Sequence, residues 1–453
     1  MLNIFESINV RNIFFRGETF SGEHIRASVN DLAAYLISKA NPNSPFMYLF
    51  AHNHLKTVIA YFAIIRAGFI VVLVNPHIKR LELHEMLIDA PPTALIRINK
   101  YQLKFEYEKE ITFCEDVRYV KNNHDLDDVC TLVYTAADDG YAKAAMLTKK
   151  NILTNAHALV KDGETNERNV FCALLPFYHM FGLQTGVFVP MMTKGSLLIE
   201  DISDLRRLAT IADEIKSYKV SNIYSLPILY YLFGVVPEIT EQLNYVNSFV
   251  SGGDKLPLPI FQRFLEKIGK EIQEGYGLTE ASPVCSWHRP GEKIKTESVG
   301  KAIRCCDIKI LNMQDTECSV GEIGEICIKG HNVMKGYYNQ KELTLQTMQN
   351  GWLHTGDLGA MDEEGYVYVS GLKKRMLNVG GRNVYPAEVE RFIKQYQHVE
   401  HVEVYRGTSK LQGDVVKAQI KLRDHTENAE NAFKQWCLEH ISHYKIPKTI
   451  EFY

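Results

Sequence analysis

The 453-residue sequence lacks several features that would place it in a specialised class. Its nine cysteines include no Cys-x-x-Cys pair, which argues against a zinc module and indicates reduced thiols. A formal net charge of −3 gives no signature of nucleic-acid binding. The first residues lack a basic start followed by an apolar run, so we predict no secretory signal and expect a cytoplasmic protein.

One uncharged stretch is long enough to be tested as a membrane span. Residues 173–193, "ALLPFYHMFGLQTGVFVPMMT", contain two prolines, a histidine and a glutamine but no charged side chain. These residues favour a buried strand, loop and helix of a large core over a spanning helix. We therefore expect no transmembrane segment.

What is present is the composition and patterning of a globular protein, with 46% hydrophobic and 23% charged residues. Helical and strand patterns alternate, as in "HLKTVIAYFAIIRAG" followed by "FIVVLVN", which predicts an α/β fold of parallel sheets covered by helices. After about residue 299, short strands with glycine turns predict a small barrel-like part. We predict a large domain over residues 1–371 and a small α+β domain over residues 372–453.

The stretch "LVYTAADDGYAKAAMLTKKN", residues 132–151, has the frame of a phosphate-binding loop. Thr135, Gly140 and Lys143 are the residue types that such a loop uses to hold phosphate oxygens. Its middle is unusual, because residues 136–139 are two alanines and two aspartates instead of serine, threonine and glycine.

Four further motifs contain the chemistry of a nucleotide site. Glycines at the strand ends in "VSGGDKL" and "EGYGLTEASPV" let a planar base approach the backbone, and Tyr276 can stack on that base. Glu280 is a hard oxygen ligand suited to Mg²⁺, and Asp357 can accept hydrogen bonds from both ribose hydroxyls. Each motif also has an ordinary interpretation, such as a turn, a helix cap, or a hairpin loop at Gly380 and Gly381.

The order and wording of these motifs resemble the adenylate-forming (AMP-dependent synthetase/ligase) superfamily, which includes acyl-CoA synthetases, peptide-synthetase adenylation domains and luciferases. The resemblance covers essentially the whole chain, and "GYGLTE" and "GGRNVYPAEVE" are its most specific parts. It implies that a carboxylic acid reacts with ATP to give an acyl-adenylate and pyrophosphate. A small C-terminal domain then rotates, and a thiol of coenzyme A or of an acyl carrier protein attacks the adenylate.

The resemblance also implies roles by position. Tyr276 would hold adenine, Asp357 ribose, Thr279 the α-phosphate and Glu280 Mg²⁺, with Thr279 and Glu280 as the catalytic pair. His179 in "PFYHMFG" would line the acyl site. The glycines that would contact nucleotide or, for the last two, the pantetheine of coenzyme A are Gly140, Gly252, Gly253, Gly275, Gly277, Gly380 and Gly381.

Three departures from the family pattern concern the handling of ATP. Two carboxylates would face the β- and γ-phosphates, and like charges about 4 Å apart repel by about 4 kcal/mol at an effective dielectric near 20. Leu372 stands where the family has a hinge arginine. The sequence given ends at Tyr453, before the position of the family's catalytic lysine, and Lys445 and Lys448 lie too early to match it.

Three functions therefore stay open: an AMP-forming acid–thiol ligase of impaired activity, a non-catalytic relative that binds nucleotide or an acyl group, and an enzyme of the thioester half-reaction alone. The chemistry of the family favours the first. The stretch "PFYHMFGLQTG" offers no carboxylate to pair a substrate amine, and "SNIYSLPILYYLFG" is aromatic and apolar. A fatty or aryl acid is thus the expected substrate.

Overall fold

The structure is a computed structural model that describes residues 9–40, 43–114, 128–136, 141–202, 205–236, 239–372, 377–409, 413–423 and 427–453. The chain divides into two compact units. The first comprises Met1–Pro76, Pro91–Val133 and Ala145–Gly371, and the second comprises His77–Ala90, Tyr134–Ala144 and Leu372–Tyr453. The second unit thus includes two earlier segments besides the predicted 372–453.

The elements follow one another along the chain in strand–helix alternation. The first half contains β1 Asn12–Phe15, β2 Glu18–Ser21, α1 Gly22–Lys39, β3 Phe46–Phe50, α2 Leu55–Arg66, β4 Ile70–Val74, α3 Arg80–Asp89, β5 Ala94–Arg97, α4 Tyr107–Glu110, β6 Ile111–Phe113, β7 Val129–Ala136, β8 Ala142–Thr148, α5 Lys149–Asp162, β9 Val170–Ala173, α6 Met180–Leu183, α7 Val189–Thr193, β10 Ser196–Ile199, α8 Leu208–Ser217, β11 Asn222–Ser225 and α9 Pro227–Val235.

The second half contains more short strands than helices. Its elements are β12 Ser248–Ser251, α10 Leu258–Ile268, β13 Gln273–Gly277, β14 Val284–Trp287, β15 Lys301–Ala302, β16 Cys306–Leu311, β17 Gly324–Gly330, α11 Lys341–Thr347, β18 Met348–Gln349, β19 Trp352–Met361, β20 Val367–Leu372, β21 Leu377–Asn378, β22 Asn383–Val384, α12 Pro386–Ile393, β23 Val399–Ser409, β24 Gly413–Leu422, α13 Glu427–His440 and β25 Thr449–Phe452.

Two largely parallel sheets confirm the predicted α/β class. A nine-stranded sheet has the order β15-β14-β13-β12-β11-β9-β10-β1-β2, and its strands from β13 to β1 run parallel. A six-stranded sheet has the order β6-β5-β3-β4-β7-β8, with β5, β3, β4 and β7 parallel. Strands such as β3 (FMYLF) and β4 (IVVLV) are buried along their whole length, as expected for parallel strands covered by helices.

A five-stranded sheet follows in the first unit, where the sequence predicted a small barrel-like part. Strands β16, β17, β19 and β18 pair antiparallel in that order, and β20 joins β19. The pairing of β17 with β19 shifts register at one point, between Glu325 and Cys327.

The second unit has its own core. Strands β23, β24 and β25 form a sheet that α12 and α13 help to cover, and β21 pairs with β22 as a small hairpin. Buried Phe392, Phe433 and Ile441 belong to this core, and Leu81 of α3 packs against it. Helix α3 is therefore part of the unit, although it lies far earlier in the sequence than the segment Leu372–Tyr453 that supplies most of this core.

Within the described ranges, no helix has both the length and the apolar character that crossing a membrane requires. The uncharged stretch 173–193 instead folds as the end of β9, the short helix α6, a π-helical turn over Gln184–Phe188, and α7. Most of these side chains are buried, as the sequence predicted.

Candidate active site

Several predicted site residues lie on or after parallel strands of the nine-stranded sheet. His179 lies shortly after β9, Gly252 and Gly253 follow β12 directly, and Gly275 and Gly277 belong to β13. The carboxyl ends of parallel strands meet at one edge of a sheet, which is where open α/β proteins bind their ligands. This edge is therefore the candidate active site of the first unit.

Tyr276 and Asp357 come together in this unit. The Tyr276 hydroxyl donates a hydrogen bond of 2.6 Å to Asp357 Oδ2, which joins strand β13 to β19 across 81 residues of sequence. Burial and the nearby Asp357 carboxylate raise the pKa of Tyr276 well above its ordinary value. The phenol therefore stays protonated and donates to the carboxylate at neutral pH.

The glycines of "EGYG" have a packing requirement that the sequence did not reveal. A Cβ on Gly277 would lie 1.9 Å from the Pro283 carbonyl oxygen, and a Cβ on Gly275 would lie 3.1 Å from that of Ser286. A Cβ on Gly252 would lie 2.9 Å from the ring of Phe181. Close packing accounts for these glycines, and their contact with a base stays a prediction.

Glu280 lies in a short 3₁₀ turn, Thr279–Ala281, and its side chain is buried. Its Oε1 accepts a 2.8 Å hydrogen bond from the Tyr337 hydroxyl, and its carbonyl oxygen accepts a 2.7 Å bond from the Met334 N–H. Two contacts therefore fix this carboxylate and its backbone. An oriented carboxylate is the kind of ligand that Mg²⁺ uses together with the phosphates of a substrate.

The segment that carries His179 is held by a residue that the sequence analysis missed. Asn53, after β3, donates from Nδ2 to the carbonyl oxygens of Leu175 (3.0 Å) and Glu200 (2.9 Å). Its Oδ1 accepts a 3.0 Å bond from the Phe177 N–H. One amide thus ties the ends of β3, β9 and β10 together. A polar residue three positions after an entirely buried strand was the available signal.

Thr135 and Lys143 of the predicted phosphate loop belong to the second unit, on β7 and β8. The Thr135 hydroxyl is buried and makes no hydrogen bond with the atoms that the structure describes. A buried hydroxyl without a partner is costly, which suits a group that meets a ligand. Gly140 and residues 137–139 lie outside the described residues.

Gly380 and Gly381 form the tip of the β21–β22 hairpin, also in the second unit. Their φ angles are +59° and +79°, and the Val379 N–H donates a 2.8 Å bond to the Arg382 carbonyl oxygen. Two positive φ angles in a two-residue loop define a type I′ turn, which glycine adopts without strain. The turn explains both glycines, and their contact with pantetheine stays a prediction.

The parallel sheets define the chain as an α/β protein, of the class that binds its ligands at the carboxyl ends of the strands. The chain belongs to the AMP-binding enzyme family, whose family profile matches residues 7–338. This match confirms the family that the motifs resembled.

Named relatives of the chain are ligases of coenzyme A. A long-chain-fatty-acid–CoA ligase of Bacillus subtilis is 28% identical, over 97% of this chain and 88% of its own. A feruloyl-CoA synthase of an Amycolatopsis species is 30% identical, over 72% of this chain and 66% of its own. The structure of a Bacillus subtilis o-succinylbenzoate CoA synthetase variant is 25% identical with a TM-score of 0.83, covering 98% of this chain and 92% of that one.

Proposed function

We propose that this chain is an AMP-forming acid–thiol ligase, which joins a carboxylic acid to coenzyme A at the expense of ATP. The observation that carries the proposal is the hydrogen bond between Tyr276 and Asp357. It brings together, from two distant segments, the residues to which family resemblance gives adenine and ribose. The CoA-ligase relatives support the same reaction class.

The side chains then have distinct tasks. Asp357 accepts hydrogen bonds from the ribose hydroxyls, Tyr276 lies along the base, and Thr279 contacts the α-phosphate. Glu280 is the residue that fits Mg²⁺, and the bound ion would neutralise charge on the phosphates. Tyr337 keeps the Glu280 carboxylate in one orientation through their 2.8 Å bond.

A fatty or aryl acid is the proposed substrate. The acyl segment, residues 173–193, has no charged residue, and His179 would line the acyl site. The named relatives act on long-chain fatty acids and on ferulic acid. Coenzyme A is the proposed thiol, with an acyl carrier protein as the other candidate. All nine cysteines are free, which supports the predicted cytoplasmic location.

A second candidate function is nucleotide binding without turnover, or use of a preformed acyl-adenylate alone. The observation that favours it is the sequence of residues 136–139, where two aspartates replace phosphate-binding hydroxyls.

Three assays on the purified chain separate these functions. The first is ATP–pyrophosphate exchange with a long-chain fatty acid or ferulic acid, and the second is thioester formation from ATP, acid and coenzyme A. The third is thioester formation from a synthetic acyl-adenylate without ATP. Activity in all three supports the ligase, and activity in the third alone supports the half-reaction. AMP binding without any of them indicates a non-catalytic relative, and failure of all assays and of AMP binding overturns the proposal.

A further inference from the structure

We infer that Glu325 and His354 are positioning residues that set the place of Asp357. This inference rests on the proposed nucleotide site and gives a role to two residues that had none in the sequence analysis. Both lie in the five-stranded sheet of the first unit, Glu325 on β17 and His354 on β19.

Asp357 lies in an irregular part of β19. Between the pairs Glu325↔Leu358 and Cys327↔His354, β17 advances by two residues while β19 advances by four. The extra residues of β19 form a bulge over 355–357, and Gly356 has a φ of +78°. Bulges leave backbone groups outside the ladder, and they redirect a side chain from the course of a regular strand.

The Glu325 carboxylate takes the place of the missing ladder partner. Its Oε1 accepts a 2.9 Å hydrogen bond from the buried N–H of Gly356. Its Oε2 lies 3.2 Å from Nδ1 of His354, and these two side chains are only 12% and 10% exposed. The imidazole therefore orients the carboxylate, and the carboxylate holds the residue directly before Asp357.

Thr355 completes the bulge. Its hydroxyl donates a 2.7 Å bond to the Ile326 carbonyl oxygen and accepts a 3.1 Å bond from the Asp357 N–H. Backbone contacts thus fix Asp357 from β17, while Tyr276 fixes its carboxylate from β13. A ligand that donates two hydrogen bonds to one carboxylate depends on the position of that carboxylate to a fraction of an ångström.

A metal ion is the other interpretation of this cluster. Sγ of Cys327 lies 3.5 Å from Nδ1 of His354, and thiolate, imidazole and carboxylate are all zinc ligands. The hydrogen bond from the Gly356 N–H to Glu325 favours the positioning role, because it connects the carboxylate to the residue directly before Asp357.

The test is calorimetric titration of AMP into the full chain and four variants. Glu325→Ala leaves the Gly356 N–H without a partner, and we expect AMP affinity to fall about tenfold to a hundredfold. Glu325→Gln offers an amide oxygen to the same N–H and should recover most of that loss. Asp357→Asn tests the nucleotide site itself, and Glu317→Ala is the matched control. Glu317 is an exposed carboxylate of the same sheet region, paired with Lys309, and its loss should leave AMP affinity unchanged.

The outcomes separate the two proposals. Unchanged affinity in Glu325→Ala, with loss in Asp357→Asn, overturns the positioning role and leaves the nucleotide site intact. Unchanged affinity in Asp357→Asn, or no AMP binding by the native chain, overturns the proposed function and the inference with it. If the native chain turns over, Glu325→Ala should raise KM for ATP with little change in kcat. If a metal chelator lowers AMP affinity and added Zn²⁺ restores it, the cluster is a metal site and the positioning role is wrong.

Discussion

Replacing Lys445 by methionine should destabilise the second unit by about 3–5 kcal/mol. Its Nζ lies 2.5 Å from Glu82 Oε1 and 2.9 Å from Glu388 Oε1, and the Ser442 hydroxyl also donates to Glu82. The three charged side chains are 7%, 9% and 4% exposed. Removing the ammonium group would therefore leave two buried carboxylates without their cation, which is the costly way to break a buried ion pair.

The pH dependence of this loss follows from the pKa shifts. Burial acts to lower the pKa of Lys445, but attraction to Tyr444, Glu388 and Glu82 raises it well above its ordinary value. Burial raises the pKa of Glu388. A carboxyl with a raised folded pKa contributes stability that is present below its unfolded pKa and lost as pH rises through the folded value. Because Lys445→Met removes the opposing cation, the stability deficit of the variant should grow as pH rises above about 4.3, the pKa of an unfolded glutamate.

The assay is denaturant unfolding of the full chain, followed by tryptophan fluorescence. Trp436 on α13 reports the second unit, and Trp436→Phe identifies its part of the signal. Lys434→Met is the matched control, since Lys434 is 49% exposed and 3.9 Å from Glu430, and its loss should change stability by less than about 0.5 kcal/mol. Equal losses in the two variants, or a deficit of Lys445→Met that does not change with pH, would refute the reasoning.

Three further predictions concern ligands. Asp357→Ala should weaken AMP binding by about 2–5 kcal/mol in calorimetry, and unchanged affinity in the folded variant would exclude the ribose role. Glu280→Gln should reduce the dependence of ATP binding on Mg²⁺, because it removes a carboxylate ligand of the ion. A Mg²⁺ titration of the variant that matches that of the native protein would exclude Glu280 as this ligand. The native chain should bind AMP in preference to ATP, and restoring hydroxyls and glycine at residues 136–139 should tighten ATP more than AMP. Tighter native binding of ATP, unaffected by that repair, would show that the loop charges do not govern binding.

The sequence predicted the fold class because a buried parallel strand is recognisable from its own few residues. Strand β4, "IVVLV", is buried along its whole length, and a run of β-branched and apolar residues between helical patterns indicates such a strand. The nucleotide motifs were equally local, since Tyr276 and Asp357 each lie in a short recognisable stretch. Their hydrogen bond joins positions 81 residues apart, and no pattern along the chain predicts it.

Long-range side-chain contacts were missed for the same reason. Glu82 of α3 pairs with Lys445 across 363 residues, which places α3 in the second unit although its own ten residues carry no sign of that contact. Asn53 and Glu325 act on backbone groups of other segments. A glycine can serve either ligand contact or close packing, and the sequence does not distinguish the two. At Gly277 the sequence analysis predicted contact with a base, whereas the structure shows that the Pro283 carbonyl leaves no room for a Cβ.

The hydrogen bond between Tyr276 and Asp357 could by itself explain why both residues are present, without any ligand. The choice of aspartate at position 357 argues for a ligand as well. A phenol donates one hydrogen, which an asparagine oxygen would accept equally well, whereas an ionised carboxylate offers about four acceptor positions. Asp357 is half-buried, and burying part of a charged group costs more free energy than burying a neutral amide. Two ribose hydroxyls require the charge and the acceptor positions that a carboxylate has and an asparagine side chain lacks. The bulge of β19, whose backbone Glu325 holds, fixes the position of the Asp357 carboxylate. A hydrogen bond to Tyr276 alone would not require so exact a position.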